Sequence, residues 1–216
     1  MKNRVLLFGS IFSVLAASGQ EADKNAKFYF YSSFNRQPES TRKAIASDSA
    51  QKGIFIITDL VVDTLNKNEL ILSSPKNDKY ASFYDYMQGT VAVHADTCKL
   101  MAVSTMTSSS GSSYGFTVLF GKTNTLNARL FEESADSTAI YRSTGSPKNQ
   151  SRIEVSASLS NCYYEAWPAV STAHLYGRAV LTSDAFYARD EHFSRKYILK
   201  RYTIGFVYRA PVHRIK

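Results

Sequence analysis

Short runs in which apolar and polar residues alternate one for one recur along most of this chain, and a side-chain period of two is that of a half-buried β-strand. The clearest run is 152–159, where Ile153, Val155, Ala157 and Leu159 face one way and Glu154, Ser156 and Ser158 the other. Segment 170–181 repeats the pattern, with Ala173, Leu175, Gly177, Ala179 and Leu181 set against Thr172, His174, Tyr176, Arg178 and Val180. In 201–209, Tyr202, Ile204, Phe206 and Tyr208 share one side. Further runs at 27–31, 69–73, 90–95, 100–106, 114–120, 126–131 and 139–142 are bounded by polar or glycine-containing turns. No segment keeps a helical period over three turns.

Segment 53–62 differs in kind. Ile54, Phe55, Ile56, Ile57, Leu60, Val61 and Val62 fill both faces of any strand, so this strand needs cover above and below, with Asp59 and Asp63 interrupting it. Residues 36–52, with Pro38 ahead of Ser40 and Thr41, fit a short capped helical turn or a loop. Fourteen Tyr and 13 Phe beside a single Trp are residue types that suit pleated surfaces. These observations predict an all-β chain: an antiparallel two-layer β-sandwich or jelly roll with at most one or two short helices.

Residues 1–20 read as a signal peptide. Lys2 and Arg4 precede an apolar run from Val5 to Ala17, small Ser18 and Gly19 follow, and the run is too short to cross a bilayer comfortably. The expectation is export to a secreted or periplasmic location, with residues 21–216 forming a single β domain and no transmembrane helix after signal removal. The formal net charge of +8 sits mostly in the C-terminal segment 186–216, which carries Arg189, Arg195, Lys196, Lys200, Arg201, Arg209, Arg214 and Lys216 against Asp190 and Glu191. Such a cluster attracts anionic glycans or lipid head groups, although a solvated outer face of the last strands explains it equally simply. No nucleic-acid-binding pattern accompanies it, and nucleic acid is not an expected partner.

Cys98 and Cys162 are the two cysteines. In an oxidising compartment an even pair most simply forms one disulfide, which would stabilise the fold by roughly 4 kcal/mol in the chain-entropy model. Neither sits in a Cys/His cluster, and His94, His174, His192 and His213 lack metal-ligand spacing, so no metal and no cofactor are expected.

Two sets of residues are candidates for ligand binding. In an extended strand Tyr163, Glu165 and Trp167 share a face, placing a carboxylate between two aromatic platforms, which suits a sugar or an extended polar ligand. The competing role for Trp167 is that of a core anchor. His174, Tyr176 and Arg178, spaced by two, share a face that suits an anion, or are simply solvated. Catalytic signals are sparse. His94 and Asp96 with some serine make a conceivable triad, but no Gly-x-Ser-x-Gly elbow is present, and Glu132, Glu133 and Asp136 read as a solvated loop. Asn149-Gln150-Ser151 fits the N-glycosylation pattern. The functional expectation is an exported, non-catalytic protein that recognises a glycan or another polar or anionic ligand. A small outer-membrane β-barrel is the alternative, and a secreted hydrolase a third reading.

Overall fold

In the computed structural model, residues 21–48, 52–64, 69–71, 86–94, 96–104, 112–121, 125–134, 139–168, 172–189 and 197–215 are described. The leader, the basic residues Arg195, Lys196 and Lys216, Asp136 and His192, and the parts of the expected strands at 72–73, 95, 105–106 and 170–171 lie outside them. In chain order the elements are β1 (Glu21–Ala22), α1 (Ala26–Asn35), α2 (Glu39–Asp48), β2 (Gly53–Thr64), β3 (Glu69–Ile71), β4 (Tyr86–His94), β5 (Thr97–Ser104), β6 (Ser112–Gly121), β7 (Thr125–Ser134), β8 (Tyr141–Ser143), β9 (Arg152–Tyr164), β10 (His174–Ser183), β11 (Phe186–Arg189) and β12 (Tyr197–Arg214). The chain is all-β with two short helices among the described residues, as expected. None of these helices is long and apolar enough to cross a membrane.

The strands belong to one sheet. β2, β4, β5, β6, β7, β9, β10 and β12 pair antiparallel in that order, and β12 pairs back onto β2 from Lys200↔Thr64 to Arg209↔Ile54. The two packed layers are therefore opposite walls of a sheet closed on itself. At the seam, β12 runs past the start of β2 and pairs parallel with β4 at Val212↔Val91 to Arg214↔Val93. Gly53 makes this possible, because a Cβ there would lie 2.6 Å from the Ala210 Cβ and 2.8 Å from the Gly89 carbonyl oxygen.

Aromatic rings fill the interior in three tiers. In the middle tier Phe116 of β6 stacks on Phe206 of β12 at 4.6 Å between centroids, and Phe55 of β2 stacks on Tyr208 at 5.3 Å. At one end Tyr202 stacks on Tyr114 and Phe186, and Tyr141 meets Phe186 edge-on. At the other end Phe120, Tyr164 and Trp167 pack against one another. Tyr141 and Phe186 come from β8 and β11, which continue the sheet beyond the early part of β12.

Four expectations change. Residues 27–31 are helical, not a strand: Ala26, Phe30 and Phe34 recur at a spacing of four and pack on the outer face of the sheet, so the apparent alternation of Phe28 and Phe30 spans too few residues to mark a strand. β11 was not anticipated, because its four residues are too few to show a period. Glu132 is not in a solvated loop. It follows Ala128 and Leu130 on the inner face of β7, is buried, and accepts hydrogen bonds from Tyr141 Oη at 3.2 Å and Tyr202 Oη at 3.1 Å.

The fourth correction concerns the disulfide. Cys98 and Cys162 are free, buried thiols. They stand on β5 and β9, strands separated by β6 and β7 in the sheet, and each is absorbed into the aromatic core as a small apolar residue. Burial, with a smaller contribution from Cys162, pushes the Cys98 thiol up to about 12, and burial pushes Cys162 up to about 11. Unfolded thiols ionise near 9, so the stabilisation is complete below that pH and is lost as pH rises towards the folded values. The expected outcome in urea titrations is a fall in unfolding free energy between pH 9 and 10.5 of up to about 1.4 kcal/mol per pH unit for each thiol, shallower in a Cys98→Ala/Cys162→Ala variant.

Candidate functional site

The outer face of β9, β10, β12 and β2 is where the chain departs most from regular sheet. β1 pairs parallel with β9, at Glu21↔Tyr163 and Ala22↔Tyr164, and Asp23 N donates to the Tyr164 carbonyl at 2.8 Å. This pairing delivers α1 onto the outer positions of the sheet. Phe30 and Ala26, joined by Ile45 of α2, cover Ile54, Ile56, Tyr176 and Val207. The second apolar face of β2 thus receives the cover its sequence requires, while Phe55, Ile57 and Leu60 face the interior.

Arg178 projects outward from β10 opposite Tyr163 of β9. Its Nε and Nη2 donate to Asp23 Oδ2 at 3.2 and 3.1 Å, and its guanidinium lies 4.3 Å from the Tyr29 ring centroid and 4.4 Å from that of Tyr163. The ion pair and two cation–π contacts clip the start of α1 to the sheet.

Beside this clip an open groove of about 410 Å³ separates α1 from the sheet. Tyr29 and Ser33 of α1, Thr58 of β2, Asn161 and Tyr163 of β9, and Arg178 line it, over a floor of β10 and β12 backbone that includes Gly205. Two β-bulges border it. The β9–β10 register passes from Arg178↔Tyr163 to Val180↔Ser160, so Asn161 and Cys162 oppose Ala179 alone, and Asn161 has φ 49°. The β12–β2 register passes from Gly205↔Asp59 to Phe206↔Ile57, leaving Thr58 as the extra residue. An extra residue bends its strand and re-aims a side chain, and here the side chains of Asn161 and Thr58 both enter the groove.

The six predicted ligand residues are not brought to one place. Tyr163 and Arg178 meet in the groove. Trp167 packs on Phe120 and Tyr164, that is, on the interior cluster, because β9 ends at Tyr164 and strand alternation does not carry Tyr163, Glu165 and Trp167 along one face. Glu165, half-buried, donates its backbone N–H to the Tyr176 carbonyl at 2.9 Å. His174, Tyr176 and Arg178 do share the outer face of β10, but α1 covers Tyr176, whose hydroxyl lies 3.4 Å from that of Tyr31. His174 Nε2 lies 3.2 Å from Arg209 Nη2, and burial followed by that guanidinium holds the imidazole pKa below its ordinary value, so the ring accepts this hydrogen bond uncharged. The basic C-terminal strand is partly neutralised: Arg201 is bidentate to Asp63 Oδ2, at 3.0 and 2.7 Å.

Sequence reasoning missed Asp23, Tyr29, Ser33, Thr58 and Asn161. A signal for Asn161 existed. The buried parity in β9 changes from odd, at Ile153 and Leu159, to even, at Cys162 and Tyr164, whereas β2, apolar on both faces at 54–57, shows no such change at Thr58. A change of parity inside one strand is what an inserted residue produces.

Arg178→Ala is expected to lower stability by about 1–2 kcal/mol in urea unfolding, the sum of two cation–π contacts and a half-exposed ion pair, with Arg178→Lys recovering only part. Asn161→Val is expected to cost about 1–2 kcal/mol for the left-handed backbone, whereas Asn161→Gly changes stability by no more than a few tenths by the same measurement. No protein-family model matches this chain, and neither a curated protein nor a solved structure matches it.

Proposed function

We propose that this chain is an exported, non-catalytic β protein that recognises a hydroxyl-rich ligand of the saccharide type in the groove between α1 and the sheet. The observation that carries the reading is the lining. Ser33, Thr58 and Asn161 supply hydrogen-bonding groups, Tyr29 and Tyr163 supply flat rings with polar tips, and Arg178 arrives with its charge balanced by Asp23. An aromatic-walled cleft with a few convergent polar groups and little net charge suits a neutral polyol better than a free anion. Neither a carboxylate nor a histidine is among its lining residues, and glycoside hydrolysis needs a pair of carboxylates, which favours recognition over hydrolysis.

The closed eight-strand ring gives the outer-membrane barrel reading a specific point in its favour. Side-chain polarity supports the opposite view. Such a barrel turns apolar residues to lipid and polar residues to its lumen, whereas here Phe55, Phe116, Phe120 and Phe206 are inside and Arg152, Glu154, Ser156, Ser158 and Ser160 are exposed on the outer face of β9.

A glycan array followed by calorimetry on the best binder tests the proposal. Thr58→Val and Asn161→Gly are each expected to weaken binding about 2- to 10-fold, the value of one hydrogen bond, and Leu126→Ser, at a position not among the groove's lining residues, to leave it unchanged. Unaltered affinity in both groove variants would remove the groove from the reading.

A further inference from the structure

α1 is apolar on more sides than the sheet covers. Phe30 is buried beneath it, but Phe28 is 69% exposed, Tyr31 41% and Tyr29 36%. Tyr29 and Tyr31 have polar tips and partners in Arg178 and Tyr176. Phe28 makes an edge contact with the Tyr29 ring, at 5.8 Å, and no other ring contact among the described residues. Tyr31 lies four residues after Lys27 and three after Phe28, and Lys24 stands just ahead of the helix, so the four form one stripe along the flank of α1 beside the Phe30 face, where the Lys27 ammonium also lies 5.7 Å from the Tyr176 ring centroid. Lys24 and Lys27 are exposed, the first turn contains no acidic residue, and the neighbouring carboxylate of Asp23 is held by Arg178.

A stripe of aromatic rings interleaved with lysines meets both its needs at a lipid surface, where rings sit at head-group depth and ammonium groups meet phosphates.

We infer that the outer stripe of α1 is a docking surface for an anionic lipid bilayer, with Phe28 inserted among the head groups, Tyr31 at their level and Lys24 and Lys27 against their phosphates. The groove opens on another side of the same helix, through Tyr29 and Ser33, so docking leaves it accessible from the aqueous side.

The test is co-sedimentation of the exported form with vesicles of phosphatidylglycerol and phosphatidylcholine, against vesicles of phosphatidylcholine alone. The expected result is pelleting with the anionic vesicles that weakens as salt rises and falls about tenfold in partition for Phe28→Ser and for Lys24→Glu/Lys27→Glu. Leu126→Ser, which alters an exposed side chain on β7, is expected to pellet like the parent. Pelleting that survives Phe28→Ser, or that is equal on neutral vesicles, overturns the inference. So does a dimer in vesicle-free sedimentation that disappears in Phe28→Ser, which would assign the stripe to a second copy of the chain.

Discussion

Phe116 and Phe206 lie face to face, 4.6 Å apart, although they come from opposite walls of the sheet. That contact, with Phe55 and Tyr208 around it, is what fills a ring of eight strands, whose width is about that of interdigitated side chains. Much of the remaining architecture follows from the same filling. Gly177 lacks a Cβ where one would strike the Tyr208 ring and come within 2.6 Å of the Tyr163 carbonyl oxygen, so a glycine in the wall makes space for an aromatic ring inside it. With the middle tier occupied by rings, the groove beside α1 lies on the outer surface.

The outer surface is not uniform, and its irregularity has a local cause. β2 and β12 carry apolar residues outward as well as inward, so one stretch of wall must be covered; α1 and α2 cover it. Helix and sheet meet cleanly at Phe30, but the bulges at Asn161 and Thr58 bend the strands beneath the next turn, and the two surfaces part there. The groove is the space left where a straight helix crosses strands that have each gained a residue. Arg178 then fixes the width of that space by tying Asp23 and Tyr29 of the helical side to Tyr163 of the sheet.

Polar groups inside the ring are managed by pairing or by protonation. Glu132 is held by two phenols, Tyr141 nine residues on and Tyr202 seventy residues on, which ties β8 and β12 to β7 at one end. At the other end the two thiols stay protonated among aromatic rings. Burial pushes the Tyr202 phenol upward, and the Glu132 carboxylate beside it acts in the same direction, so Tyr202 keeps its proton.

Period-two patterning was enough to identify β9, β10 and β12, their inward sides, and the need for cover on both faces of β2, because alternation maps directly onto the pleat. Arg178 was legible as an outward residue for the same reason, whereas Tyr163 shares the parity of Ile153 and Leu159 and faces outward only because of the bulge at Asn161. The pattern even contained the bulge at Asn161, as a change of parity along β9. What local sequence did not contain was any relation between distant segments. The closure of β12 on β2, the burial of Glu132 by tyrosines at 141 and 202, the separation of Cys98 from Cys162 by two intervening strands, and the loss of Trp167 to the core all depend on which wall stands opposite which. Those relations arise only when the sheet closes and side chains far apart in the chain compete for one interior, so tertiary structure alone decided them.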